Sequence, residues 1–383
     1  MSEKRTFHQL HRPLILVMAI AFSCQQVDHS PSHRSIRPAP PSEAKTIQAE
    51  WFDESPLPEP LTNNAVASLM MDGTLYLFSF LGLNATKAPA GITRRAFAFD
   101  TQTRRWAPIR SVPGRLGRIA ATAQGVDGRV YIFGGYTVAP NGREVSVPHV
   151  DIYDPRTDRY DAGAPIPIPV DDSVSGVWRD RFIYLISGWS QKDNVANVQI
   201  YDTRTNRWQQ ATPIPGPPVF GHAGGIVGDT IVYCDGVRID PARRPRFVIS
   251  EACYRGKIDP RDPSHITWSS LPAHPGEPKY RMAAGVIPEE GLILFAGGTT
   301  RPYNYDGIGY DGIPSEPSSQ SFAYDVRRER WLVLPDMPSP TMDHRGLVGA
   351  GRSLYLIGGI REQQRVTPGV RRLTVHPDRL EER

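Results

Sequence analysis

One phrase recurs along this chain: an apolar run that ends in small residues. It stands at Tyr131 to Gly135, Tyr184 to Gly188, Leu294 to Gly298 and Tyr355 to Gly359, with weaker copies at Tyr76 to Phe80 and Ile231 to Gly236. A second phrase follows each of the first five copies: an aromatic residue or Ile, an Asp, a polar turn, then another aromatic. It runs from Phe99-Asp100 to Trp106, Tyr153-Asp154 to Tyr160, Tyr201-Asp202 to Trp208, Ile258-Asp259 to Trp268 and Tyr324-Asp325 to Trp331. Pro-rich connectors such as Pro165 to Pro169 and Pro213 to Pro218 trail the aromatics. A period near 50 residues with short apolar runs means repeated all-β units, each unable to bury its faces alone. The 34 Gly and 37 Pro fit many short strands joined by turns.

Each repeat reads as four antiparallel strands. The first is small and apolar (Ile119 to Ala123, Ala223 to Val227) and lies innermost. The second ends at the glycines, where the backbone turns tightly against a neighbour. The third ends at the Asp, whose carboxylate can accept hydrogen bonds from the turn backbone. The fourth carries the Trp or Tyr that fills the gap to the next unit. The pattern resembles the Kelch repeat, which implies an all-β, six-bladed β-propeller over residues 46–377. The last repeat has an inner strand, a glycine strand and Val370 to Val375, but no fourth strand with an aromatic. Ile47 to Asp53 carries Trp51 with Pro56 and Pro58 behind it, so this N-terminal strand is expected to complete the last blade. Joining the two ends of the chain in one sheet removes open edges.

The start of the chain reads as a targeting segment over 1–24. Lys4, Arg5 and Arg12 precede an apolar stretch from Leu14 to Phe22, too short to span a bilayer. Ala21-Phe22-Ser23-Cys24 resembles a bacterial lipobox, which implies a lipid on Cys24, a periplasmic or cell-envelope location, and membrane contact through that anchor only. The alternative is an ordinary signal peptide cut near Ser23. Residues 25–45 form a polar, Pro- and Ser-rich tether, and 378–383 a short tail. Three cysteines then leave Cys234 and Cys253 as an even pair flanking one hairpin, either a disulfide or two buried thiols.

Propeller sites lie on loops at one channel mouth. The residues leading into the inner strands are Gly117-Arg118, Gly221-His222, Tyr280-Arg281 and Asp343-His344-Arg345. Converging Arg and His side chains suit a carboxylate or a polyhydroxylated ligand, or else they solvate the channel and cap blade ends. A long loop in blade five, Thr299 to Ser319, adds Arg301, Tyr303, Tyr305 and Tyr310 as stacking or binding groups, with Asp306, Asp311 and Glu316 as hydroxyl acceptors. Here the chain is similar to the bacterial N-acetylneuraminate epimerase branch of Kelch proteins. That resemblance implies sialic-acid anomer interconversion, with Glu316 or Asp306 as base, Arg281 or Arg345 on the substrate carboxylate, and no cofactor or metal.

The competing reading is a non-catalytic module that grips glycans or a protein partner. A copper-radical site of galactose-oxidase type would need His and Tyr ligands and a Cys crosslinked to a Tyr. His222, His344 and the loop tyrosines offer part of that set, but Cys234 stands in the wrong kind of position. No P-loop, dinucleotide fingerprint, zinc-protease motif or nucleophile elbow occurs. A net charge of +4 with scattered arginines argues against nucleic acid.

Overall fold

The computed structural model describes residues 45–376. The expected signal segment, Cys24, nearly all of the tether and the short tail lie outside the described residues. Within them the chain forms six four-stranded antiparallel sheets arranged as blades in a ring. Blade one comprises Ala65–Met71, Thr74–Phe80, Ala96–Asp100 and Arg105–Ile109. Blade two is Thr122–Val126, Arg129–Phe133, Val150–Asp154 and Arg159–Ala162; blade three is Val174–Trp178, Phe182–Ile186, Val198–Asp202 and Arg207–Ala211. Blade four comprises Ala223–Val227, Thr230–Cys234, Cys253–Asp259 and Asp262–Leu271. Blade five comprises Ala283–Ile287, Leu292–Ala296, Ser321–Asp325 and Arg330–Val333.

Blade six closes the ring as the sequence implied. Its inner three strands are Val348–Ala350, Ser353–Ile357 and Val370–His376, and its outer strand is the N-terminal Gln48–Glu54. Trp51 lies opposite Leu373 in that antiparallel pair. Lys45–Thr46 does something the sequence did not announce: it runs parallel to Arg330–Val333 and adds a fifth strand to blade five. The N-terminal segment therefore ties two blades together before the first full blade begins.

The outer aromatics form a ring of their own. Trp106 Nε1 donates to Ser55 O, Tyr160 Oη to Arg110 O, and Trp208 Nε1 to Ala164 O. Trp268, Trp331 and Trp51 likewise donate to Thr212 O, Pro272 O and Pro335 O. Every blade thus fastens its outer strand to the connector that leaves the preceding blade, and Trp51 with Ser55 completes the circle. Each indole or phenol keeps an apolar body against the core and satisfies its one polar end. The turn aspartates behave as expected too. Asp100, Asp154, Asp202, Asp259 and Asp325 each accept a backbone N–H from two residues ahead.

The glycine phrase has a sharper cause than strand crowding alone. In each blade the second member of the pair is Gly82, Gly135, Gly188, Gly236, Gly298 or Gly359, all at positive φ. A Cβ on any of them would sit 2.6 to 2.9 Å from the carbonyl oxygen of Thr62, Ile119, Asp171, Phe220, Tyr280 or Met342 respectively. Those are the residues just before the channel mouth, and each pairs with the residue after its glycine. The glycine is required because the lead-in of the same blade passes directly beneath it. The first member of the pair also has positive φ but tolerates Leu81, Ser187 and Asp235. Blade one shows the phrase two residues later than its sequence copy, at Leu81-Gly82, because its second strand runs on to Phe80. The inner strand of blade two likewise starts at Thr122, since Ile119 and Ala120 belong to the mouth rather than to the strand.

Candidate functional site at the channel mouth

Six lead-in residues, one per blade, close the mouth as a hydrogen-bonded ring: Asn63, Ala120, Asp172, Gly221, Arg281 and Asp343. All six have left-handed backbone, with φ from 52° to 70°. Asp172 N donates to Ala120 O, Gly221 N to Asp172 O, and Arg281 N to Gly221 O. His344 N donates to Arg281 O, Asn63 N to Asp343 O, and Ala120 N to Asn63 Oδ1, which completes the circuit. Five non-glycine residues in a sparsely populated conformation are held there by neighbours on both sides, an arrangement common where side chains must be aimed.

The ring aims charge inward. Arg281 spans it, with Nη2 2.6 Å from Asp172 Oδ2, Nε 3.1 Å from Asp172 Oδ1 and Nη1 2.9 Å from Asp343 Oδ1. Arg345 also bonds Asp172 Oδ1, and Thr62 Oγ1 donates to Asp343 Oδ2 at 2.7 Å. The Tyr280 and Tyr303 rings flank the Arg281 guanidinium at 4.8 and 5.1 Å. Burial pushes the Asp172 carboxyl up, but Arg281 and Arg345 more than reverse this and hold it below the usual range. Its neighbour Asp171 is the opposite case. Burial, then the charge of Asp172, lifts its carboxyl well above the usual range, against a hydrogen bond from Ser146 and the pull of Arg281.

Two cavities flank this ring and share no lining residue. One is the axial channel of about 410 Å³, walled by the inner strands and reaching His222, His344 and Arg345. The other, about 150 Å³, lies among the hairpins that top blades two, three and four and the long loop of blade five. Glu144, Asp171, Asp172 and Arg281 line it together with Trp189, Phe220, Phe247 and Tyr310. Phe247 and Tyr310 are stacked with centroids 4.0 Å apart, and Trp189 meets Phe220 edge-on at 5.5 Å. Partial loss of water raises the Glu144 carboxyl, which Arg281 lowers and Asp172 raises in turn. An aromatic wall beside carboxyls whose pKa values are raised can stack an apolar ring face and exchange hydrogen bonds or protons with a ligand's polar edge.

Of the residues singled out from sequence, Arg281 and Tyr310 line this pocket. The others have different occupations. Arg118 pairs with Asp151 in the wall of blade two. His222 donates Nε2–H to Ile186 O at 3.0 Å, and His344 pairs through Nε2 with Thr341 Oγ1 at 3.0 Å. Burial drives the pKa of both imidazoles down to about 3, so neither ring is a cation near neutral pH. Arg301 binds Asp311 within its own loop. Tyr303 is fully buried against Tyr280, and Tyr305 packs, partly buried, against the apolar cluster that Leu83, Ile119, Ala120, Tyr136 and Val138 form. Asp306 Oδ1 caps the turn at Ile308 N, Glu316 is exposed, and neither lines the pocket. Cys234 and Cys253 face each other across adjacent strands and are joined as a disulfide, which leaves Cys234 no thiol for a Tyr crosslink.

Sequence reasoning passed over Asp171, Asp172 and Asp343 as site groups and missed Glu144, Trp189 and Phe247. The signal for the first pair was present: Asp171-Asp172 occupies the lead-in of blade three, in register with Tyr280-Arg281 of blade five.

Comparison with known proteins agrees with this architecture. The Kelch motif matches residues 117–166. Beta-scruin of Limulus polyphemus is 26% identical over 146 residues, 38% of this chain and 15% of its own length. Kelch-like protein terF of Aspergillus terreus is 35% identical over 106 residues, 27% of this chain and 21% of its own length. The matched stretches thus span about a fifth or less of these relatives. The solved structure titled "Structure of YjhT" superposes with a TM-score of 0.63 at 18% identity, covering 82% of this chain and 95% of that one. Repeated glycine pairs, the ring of outer aromatics, six blades and the matching motif together make this chain a six-bladed β-propeller that carries a Kelch motif.

Proposed function

We propose that the protein recognises a carbohydrate in the mouth pocket. The observation that carries this reading is the union, in one cavity of about 150 Å³, of stacked aromatic faces with Glu144, Asp171 and Asp172. Sugars present an apolar ring face and a polar hydroxyl edge, and this pocket offers a partner to each. A cavity of that size, below the roughly 300–1,000 Å³ of drug-sized sites, suits a single sugar unit. Anomer exchange is the second reading. In that reading Asp171, the more strongly raised of the two carboxyls, would give a proton and Glu144 would take one, the pair that ring opening and closing requires. This moves the acid–base role away from Glu316 and Asp306. The sialic-acid substrate implied by resemblance fares less well, because Arg281 and Arg345 already answer Asp172 and Asp343.

The test is titration of the purified protein with a monosaccharide panel, read by tryptophan fluorescence and repeated in Trp189→Phe. Saturable quenching that disappears in the variant is expected. An unresponsive signal and no heat of binding across the panel would remove the carbohydrate reading and leave a protein-docking mouth. NMR of freshly dissolved sugar with the protein then tests anomer exchange, which should be lost in Asp171→Asn.

We further propose that the chain is exported and held at a bacterial envelope by a lipid on Cys24. The Cys234–Cys253 disulfide supports an oxidising compartment. Mass spectrometry of the mature N-terminus decides it; an unmodified end elsewhere removes the anchor.

A further inference from the structure

The charges at the mouth do not balance. Four carboxyls, Glu144, Asp171, Asp172 and Asp343, face two guanidiniums, Arg281 and Arg345. Both guanidiniums are spent inside the ring, on Asp172 and Asp343. Among the described residues no ion pair reaches Asp171 or Glu144. Asp171 is only 3% exposed, yet its carboxyl lines the cavity with Ser146 Oγ, at 2.6 Å, as its side-chain donor. A buried carboxyl without a cation, as at Asp171, keeps its proton or recruits positive charge, and Glu144 adds a second unpaired carboxyl at the exposed rim.

The aromatic wall selects between those outcomes. Trp189, Phe220, Phe247 and Tyr310 line the same cavity, with Phe220 and Phe247 edge-on at 6.0 Å between the Trp189 contact and the Tyr310 stack. Ring faces attract ammonium groups, more strongly where water is excluded. A bare metal ion fits poorly: among the described residues, the ligand atoms of Glu144, Asp171 and Asp172 do not all lie within 4.8 Å of one another. We infer that the ligand of this pocket carries an ammonium group, so that the sugar it takes is an amino sugar with its amine unacylated. The inference deepens the carbohydrate reading and rests on it. One ammonium then faces both carboxyls, Glu144 at the rim and Asp171 beneath it, and its charge draws the proton from Asp171.

The experiment is calorimetric titration of the full chain at neutral pH, in two buffers of different ionisation heat. Glucosamine and galactosamine are compared with glucose, galactose and the two N-acetylated sugars. The amines should bind about tenfold more tightly or better, the gain that an ammonium in a carboxylate and aromatic setting supplies. Their binding should also release a proton to the buffer. Glu144→Gln, a change at the exposed rim, should weaken the amines by a larger factor than the neutral sugars and so cut their advantage. Asp171→Asn should abolish the proton release. Neutral or acetylated sugars that bind as tightly as the amines would overturn the inference while the carbohydrate reading stood. Methylammonium binding as tightly as glucosamine would overturn the carbohydrate reading and leave a cation site. Binding by none of these probes would sink both.

Discussion

Arg281 and Asp172 belong to blades five and three, 109 residues apart in sequence, and they meet across the channel mouth through two parallel hydrogen bonds of 2.6 and 3.1 Å. The side chain of Arg281 is 2% exposed, as is that of Asp172. Two charges so deep in the molecule are justified only by their mutual geometry, and a flat guanidinium meets it where an ammonium cannot.

Removing the cation should therefore hurt far more than removing a surface one. Arg281→Met leaves Asp172 and Asp343 buried against a hydrophobic chain, at a cost of about 3–5 kcal/mol. Arg281→Lys should recover little, since one ammonium cannot replace the fork. Arg156→Met is the control: that arginine pairs with Asp72 at the surface, with both side chains more than half exposed. Its loss should leave the denaturation midpoint unchanged. Urea unfolding of the three variants checks the ranking, and equal midpoints for Arg281→Met and Arg156→Met would contradict it.

The glycine pair makes a second comparison. Gly135 has φ of 78°, and a Cβ there would stand 2.6 Å from Ile119 O and 2.9 Å from Ala121 N. Gly228 has φ of 56° with open space around it. Gly228→Ala should cost about 1–2 kcal/mol, the left-handed backbone penalty alone. Gly135→Ala must also push the mouth lead-in away from its own blade, and the total should exceed about 3 kcal/mol. Because that lead-in continues into Ala120 of the ring, the variant should also weaken whatever the mouth pocket binds. Similar losses at both positions would show that the carbonyl approach has no energetic weight.

These cases explain what the sequence could disclose. The second glycine and the outer aromatic meet the same backbone constraint in every blade, so they repeat and can be counted. Trp51 was legible as a missing member of that series. Lys45–Thr46 was not, because two polar residues bonded only through their backbone leave no pattern. At the site, Arg281 was visible as a long side chain in a position where small ones are usual. Its partner Asp172 stands in the equivalent position two blades away, and a search for cations alone passes it by. The loop tyrosines were chemically alike in sequence; only the curl of the loop turns Tyr310 onto Phe247 while Tyr303 goes beneath Arg281.

The closure should respond in graded steps. Trp51→Phe keeps most of the apolar contact but loses the bond to Pro335 O, worth about 1 kcal/mol. Trp51→Ala should cost about 3–5 kcal/mol through the cavity it leaves. Deleting residues 45–60 strips both Lys45–Thr46 from blade five and Gln48–Glu54 from blade six, and exposes Val370–His376 as an open edge. That protein should melt at much lower temperature and self-associate. Calorimetry with light scattering reads both; an unchanged melting temperature after the deletion would refute closure by this strand.

Acid should loosen the propeller from inside its channel. His222 is 6% exposed and His344 4%, and burial holds both pKa values near 3, against 6.5 for an open imidazole. Below pH about 6.5 the unfolded chain takes up protons that the folded rings refuse, so stability falls as pH drops towards 3, by about 1.4 kcal/mol per pH unit for each ring. Asp171 works in the other direction. Its folded pKa is raised, so its contribution is present below 3.8 and is lost as pH rises through the raised value. Each variant therefore has its own signature in the difference from the parent protein. His222→Gln should be most destabilised near neutral pH, with the gap narrowing as pH falls from about 6.5, because glutamine takes up no proton in either state. Asp171→Asn should gain on the parent as pH rises, since the amide has no charge to bury. Denaturation midpoints from pH 4 to 8 separate the two slopes, and parallel curves for both variants would mean that neither group titrates differently in the folded protein.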